Sequence, residues 1–182
     1  MQKLVLLTGV FLLILGHRSQ AQKKIYSTKN SKVTLFLNST LQPIKATNTA
    51  VKSTFNSQTK MVSFLIPVKQ FQFNNPILQQ PFNETYLEAS KYPLSKFEGM
   101  VKEPIDFNKT SPQKVTVIGY LNMHGVRKKR IIPATIVVKN RQVITCQSSF
   151  DINTNDHKIK IPPALFKDGQ KKVKINLSAN YN

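Results

Sequence analysis

The stretch over residues 64–99, FLIPVKQFQFNNPILQQPFNETYLEASKYPLSKFEG, constrains this chain most, because it joins an apolar strand, a compact crossing and a second strand in that order. Phe64, Ile66 and Val68 alternate with Leu65 and Pro67, and Phe71 and Phe73 alternate with Gln70, Gln72 and Asn74. That is the period-two pattern of a sheet with one buried face. Within residues 75–90, Phe82, Tyr86 and Leu87 are spaced for one face of a helical turn or two. Lys91-Tyr92-Pro93 ends the crossing, since proline pushes the residue before it toward extended geometry. A strand resumes from Ser95 through Phe97 and Gly99.

The same alternation predicts eight strands, at residues 33–38, 44–55, 61–74, 95–103, 114–124, 130–139, 142–151 and 171–179. The last has the clearest pattern: Val173, Ile175, Leu177 and Ala179 alternate with Lys172, Lys174, Asn176 and Ser178, giving one apolar and one solvated face. Turn chemistry separates the strands at Asn56-Ser57-Gln58, residues 108–112, His124-Gly125, Asn140-Arg141 and Lys167-Asp168-Gly169. No linker or fixed-period repeat divides the chain, so it reads as one domain. Eight antiparallel strands with almost no helix fit a closed barrel, whose interior takes packed side chains or one slender ligand. A two-sheet sandwich fits the same pattern.

The phrase FQFNNPILQQPFNETYLEASKYPLSKFEG, with its aromatic-x-aromatic strand end, F-N-x-x-Y turn, K-Y-P break and F-x-G strand start, resembles the YceI-like family. These are lipocalin-like periplasmic proteins associated with binding polyisoprenoid lipids. Residues 119–126, GYLNMHGV, look like the family's G-x-L-x-x-H-G-V, and the likeness runs from about residue 25 to 179. It favours the barrel over the sandwich, implying an all-β chain: an eight-stranded antiparallel lipocalin-like β-barrel with a short helical crossing. One position departs from the pattern. Where the family often has a histidine before the F-N pair, this chain has Pro81, so no role of that histidine carries over.

The first residues read as a processing signal. Lys3 supplies a positive start, residues 4–15 an apolar run, and Ser19-Gln20-Ala21 a small-x-small cleavage site. The run is shorter than the roughly 20 apolar residues that span a bilayer. The expected division is a signal peptide over residues 1–21 and a YceI-like domain over 22–182, with the mature protein periplasmic or secreted. Losing Lys3 and Arg18 lowers the formal charge from +19 to +17. Cys146 is the only cysteine, so no intrachain disulfide forms and stability rests on an ordinary core. About 160 mature residues suffice for one.

Catalytic chemistry is hard to place. After cleavage only His124 and His157 remain beside one cysteine, so a His/Cys zinc site cannot be filled, and no cofactor or metal is expected. Six glycines form neither a phosphate-cradling loop nor a dinucleotide fingerprint, and no G-x-S-x-G elbow occurs. Glu84 and Glu88, four apart, read either as a carboxylate pair or as a solvated face. His124 either hydrogen-bonds a ligand head group at the barrel mouth or stabilises the hairpin through a backbone contact. Cys146, within an apolar strand, reads as buried rather than reactive.

In a barrel the apolar parity of each strand faces inward. With the resemblance this implies a non-catalytic protein holding a polyisoprenoid, or another long lipid, in its interior. The residues expected to meet it are Phe64, Ile66, Phe71, Phe73, Phe82, Phe97, Val117, Leu121, His124, Ile136, Phe150 and Ile175. Three isoprene units bury on the order of 12 kcal/mol of apolar carbon, against association costs of about 4 to 15 kcal/mol, so a long tail is favoured over a short one. The alternative is a dry core, in which the same residues simply fill the barrel and a basic exported surface binds a polyanion or protein partner. Arg127-Lys128-Lys129-Arg130 and the cluster Lys167, Lys171, Lys172 and Lys174 suit transient contact with an anionic membrane surface. Nucleic acid is the weaker partner class, since the tyrosines are scattered and form no stacking platform.

Overall fold

The computed structural model describes residues 25–40, 42–167 and 171–181. The expected leader, and Asp168 and Gly169 of the last turn, lie outside them. Nine strands form one antiparallel sheet: β1 (Ile25–Leu37), β2 (Ile44–Asn56), β3 (Met61–Pro67), β4 (Gln72–Phe73), β5 (Leu94–Val101), β6 (Gln113–Met123), β7 (Val126–Lys139), β8 (Gln142–Asn153) and β9 (Lys172–Asn180). The order β1-β9-β8-β7-β6-β5-β3-β2 closes on itself through β1 and β2, from Ile25↔Asn56 to Leu37↔Ile44. The protein is therefore a closed eight-stranded antiparallel barrel. β4 is an extra rung, pairing Phe73 with Ala46 on the edge of β2 that β3 has left.

The alternation expected from the sequence appears directly in burial. In β5 Ser95, Phe97, Gly99 and Val101 are buried between exposed neighbours, and in β6 Val115, Val117, Gly119 and Leu121 are buried. Two hairpins use paired positive-φ residues, His124 (53°) with Gly125 (71°) and Asn140 (51°) with Arg141 (56°). This is the two-residue turn whose twist matches that of the strands it joins. Gly125 has a second constraint, since a Cβ there would sit 2.7 Å from the Tyr92 ring. Gly99 and Gly119 face each other across β5 and β6, and a Cβ on Gly119 would collide with the Glu98 carbonyl.

One expected strand is cut short. The run over residues 61–74 stops at Pro67, where the chain makes a 3-10 turn (Val68–Gln70) and the Val68 N–H bonds the Pro93 carbonyl at 2.8 Å instead of continuing the ladder. Proline has no N–H for a neighbouring strand, which makes it a natural end point. Gln79 then holds the β4 segment, donating to the Phe71 carbonyl at 2.7 Å and accepting from the Phe73 N–H at 3.2 Å. The first strand was expected from residue 33 but begins at Ile25, because Tyr26 is buried against Phe55, with ring centroids 6.0 Å apart.

The two ends of the barrel differ. The end carrying Ile25 and Tyr181, the first and last described residues, is packed by the buried Tyr26, Val51, Phe55, Val101, Val138, Val143 and Ala179, and the Ser53 hydroxyl meets the Tyr181 phenol at 2.6 Å. The other end has two covers. One is the crossing between β3 and β5, with a 3-10 turn (Pro76–Leu78) and a wide helical turn (Phe82–Tyr86) closed by Leu87 N–H to Phe82 carbonyl at 2.8 Å. The other is the β8–β9 connection, which buries Ile159, Ile161 and Phe166.

Candidate functional site

Beneath the two covers lie two small, almost wholly apolar cavities. The first, about 50 Å³, is walled by Leu37, Ile44, Ala46, Phe73 and Phe82 on one side and by Ile152, Ile159, Ile161 and Val173 on the other. The second, about 60 Å³, lies among Val33, Ile66, Phe71, Leu121, Phe150, Ile175 and Leu177, with Tyr92, Ser95 and His124 at its polar edge. Leu35, Leu87 and Met123 line both, so these three side chains form the partition. All three are only partly buried, on the margin of the core. Thr154, 2% exposed, also lines the first cavity, and its hydroxyl lacks a hydrogen-bond partner among the described residues.

Aromatic side chains build the wall under the crossing. Phe82 meets Phe73 with ring centroids 4.6 Å apart and Tyr86 edge-on at 5.0 Å. These are favourable offset and T-shaped arrangements. The expected helical face of Phe82, Tyr86 and Leu87 is thus the face laid on the barrel.

Eight of the twelve expected contact residues gather at these cavities: Phe73 and Phe82 at the first, Ile66, Phe71, Leu121, His124, Phe150 and Ile175 at the second. Phe64, Phe97, Val117 and Ile136 are buried inward as expected, but they line neither cavity. Sequence reading missed the partition. Leu87 shares one face of the expected helical turn with Phe82 and Tyr86, and Met123 follows Leu121 at strand spacing, yet neither is among the expected contacts. Leu35 sits in the expected first strand among Val33 and Leu37, and the alternating Ile159 and Ile161 lie where no element was expected.

A chain of polar contacts ties the covers to the barrel. His124, its side chain 8% exposed, donates from Nδ1 to the His157 carbonyl at 3.1 Å and sets Nε2 2.6 Å from Glu88 Oε2. The Glu88 contact is close but lies outside hydrogen-bond geometry, and it becomes an ion pair only when the ring is protonated. His124 therefore joins the crossing, through Glu88, to the second cover, through His157, while Tyr92 packs on its ring at 4.4 Å. Glu84 does not share this site; it accepts from Gln80 at 3.1 Å.

His157 is fully buried, with Nδ1 3.1 Å from the Val126 carbonyl and 3.3 Å from that of Met123. Two acceptors at Nδ1 require the proton there, which leaves Nε2 to accept from Arg130 Nη2 at 2.9 Å. Burial, and then the Arg130 charge, lower its pKa below the ordinary 6.5, in keeping with this neutral tautomer. Arg130 also pairs with Asp156 at 2.9 Å. The basic run of residues 127–130 therefore divides: Arg130 turns inward, Lys129 is exposed, and Arg127 stacks on Tyr120 at 3.5 Å.

Cys146 is buried as expected, and burial pushes its thiol up to about 11. No cluster of three or more His, Cys, Asp or Glu side chains able to hold a metal occurs among the described residues. Outside the barrel, a shallow open groove of about 890 Å³ crosses β1, β9, β8, β7 and β6. Its floor includes Thr34, Thr135, Gln147, Ser149, Asn176 and Ser178, and Lys32, Lys45 and Lys114 stand at its rim.

The fold and these features can be set beside known proteins. Among solved structures, a polyisoprenoid-binding domain from Saccharophagus degradans, implicated in plant cell wall breakdown, superimposes with a TM-score of 0.68 at 9% identity, covering 88% of this chain and all of that one. BcnA of Burkholderia cenocepacia follows at 0.65 and 16% identity over 82% of this chain and 96% of that one. A YceI protein of Campylobacter jejuni gives 0.53 and 18% identity over 100% and 99%. At these identities the likeness is one of fold. No curated protein matches the chain. The YceI-like domain model matches residues 21–181, nearly the whole length, and the chain belongs to the YceI-like family.

Proposed function

We propose that this protein holds a long apolar chain of the polyisoprenoid class in the covered half of its barrel, without catalysis, after export and removal of residues 1–21. The observation that carries the reading is the pair of adjacent apolar cavities divided only by Leu35, Leu87 and Met123. The ligand class is that of the Saccharophagus degradans domain. Export is supported by the charged and apolar leader, and by a family match that starts where the small-x-small site ends.

The small interior volume sets a condition on this function. Cavities of about 50 and 60 Å³ are well short of the 150 Å³ or so that takes up benzene in an engineered core. Uptake therefore requires the three partition side chains to swing aside and the covers to lift, joining the two spaces. The unpartnered Thr154 hydroxyl gives one polar handle for a hydroxylated end of the ligand. The non-catalytic reading is supported by two side chains: the Cys146 thiol is held neutral and both His157 ring nitrogens are engaged in structure. The test is calorimetric titration of delipidated protein with isoprenoid alcohols of increasing length. Affinity should rise with length, and absence of binding at every length would refute the proposal.

A second reading keeps the core dry and places function on the basic exterior, and the lysine-rimmed outer groove favours it. Under that reading sulfated or phosphorylated polymers bind in a salt-dependent way and isoprenoids do not.

A further inference from the structure

Strand register places four apolar side chains in one unbroken row on the outside of the barrel. Met61 pairs with Met100, Met100 with Ile118 and Ile118 with Ile131, across β3, β5, β6 and β7. Met61 is 41% exposed, Met100 49% and Ile131 69%, on an outward parity that elsewhere in these strands carries Ser63, Lys96, Glu98, Thr116, Asn122, Arg127 and Lys129, with Leu65 and the exposed Leu94 nearer the crossing. Three inter-strand steps make the row about 14 Å long. An isolated exposed apolar residue needs no explanation, but a continuous run across four strands does.

What surrounds the row identifies its partner. The next row toward the crossing holds Glu98, Tyr120 and Lys129, and the one beyond holds Lys96, Asn122 and Arg127. On the other side lies Lys102, whose N–H bonds the Thr116 carbonyl. Of the acidic groups nearby, Glu98 is paired with Lys96 at 2.7 Å and Glu103 is bound to the Thr116 N–H at 2.6 Å. Tyr120, 40% exposed beneath the Arg127 guanidinium, borders the apolar strip. We propose that this face docks on an anionic lipid bilayer, with Met61, Met100 and Ile131 entering the headgroup boundary and Lys102, Arg127 and Lys129 meeting lipid phosphates.

Apolar side chains framed by cations, with tyrosine at the margin, form the arrangement that binds membrane surfaces by combining apolar burial with charge attraction. A second copy of the chain fits poorly. It would bring like-charged frames together, and a four-residue row falls far short of the roughly 1,600 Å² of a standard stable interface. The proposal does not depend on what the barrel interior holds.

The test uses mature protein with vesicles of phosphatidylcholine, with and without phosphatidylglycerol, in a co-sedimentation assay. Wild type should sediment with the anionic vesicles alone. Combined Met100→Ser and Ile131→Ser should weaken that binding about tenfold or more, as expected for partial burial of two large apolar side chains. Both sites are solvent-exposed, so a melt should show the fold intact. The chain has no tryptophan, so Ile131→Trp adds a single reporter whose emission should shift to the blue on anionic vesicles. Undiminished binding by the double variant, no shift in the reporter, or no vesicle binding at all would each overturn the proposal. So would a wild-type dimer that the double variant disperses, since a second copy would then own the face.

Discussion

His157 gives the sharpest quantitative prediction. Replacing it with leucine removes donation to the Val126 and Met123 carbonyls and acceptance from Arg130, all within a site of zero solvent exposure. One bifurcated neutral hydrogen bond at about 1 kcal/mol and one to a charged group at about 1.5 to 3 kcal/mol give a loss of about 2.5 to 4 kcal/mol. For a domain of this size that is a fall of about 5 to 15 °C in the melting temperature. His157→Asn should recover part of it, because its amide can donate to a carbonyl although it does not reproduce the acceptor for Arg130. The pH dependence carries a second signature. Because the folded-state pKa lies below the ordinary 6.5, the unfolded chain takes up a proton first as pH falls. The stabilisation is complete above about pH 6.5 and is lost below it, toward the lowered folded value, with a ceiling of about 2 kcal/mol by pH 5. Leucine lacks this component, so urea melts of wild type and variant should converge as pH drops from about 7.5 to 5. Melts that coincide at the higher pH, or the same pH slope in both proteins, would refute this account of the cover.

Three further outcomes follow from particular contacts. Gly119→Ala should prevent β5 and β6 from closing, because the new methyl meets the Glu98 backbone; we expect a loss beyond the usual 1 to 3 kcal/mol of overpacking, read by urea melts. Leu87→Ala should cost about 1 to 2 kcal/mol, less than a fully buried leucine, yet strengthen binding of short isoprenoid alcohols by opening the partition; unchanged calorimetric affinity would contradict that role. With its thiol pushed up to about 11, Cys146 should stay unmodified by a disulfide reagent near neutral pH until the protein is unfolded, and rapid labelling of native protein would contradict its burial.

Most of the barrel was legible because strand burial writes itself into the sequence with a period of two. The two positive-φ hairpins were legible because glycine and asparagine mark them. The break at Pro67 was less so, since Phe71 and Phe73 keep the alternation alive beyond the proline and the pattern does not report which strand edge they face. The candidate site was only partly visible. Parity identifies inward residues but not depth along the barrel axis, so Phe64 and Phe97 could not be separated from Ile66 and Leu121. The role of His157 was invisible for a different reason: its partners are backbone carbonyls and an arginine 27 residues earlier, brought together only when the β8–β9 connection folds over the end.

The central claim, that the covered half of the barrel carries a long apolar chain, is tested most directly by mass spectrometry of an organic extract. The sample is protein expressed from the full-length sequence and purified without detergent. A stoichiometric isoprenoid, diminished when Leu35 or Met123 is replaced by a larger side chain that fills the partition, is the predicted result. An empty extract, together with failure of the purified protein to take up added long-chain isoprenoids, would contradict the claim and move function to the basic outer surface.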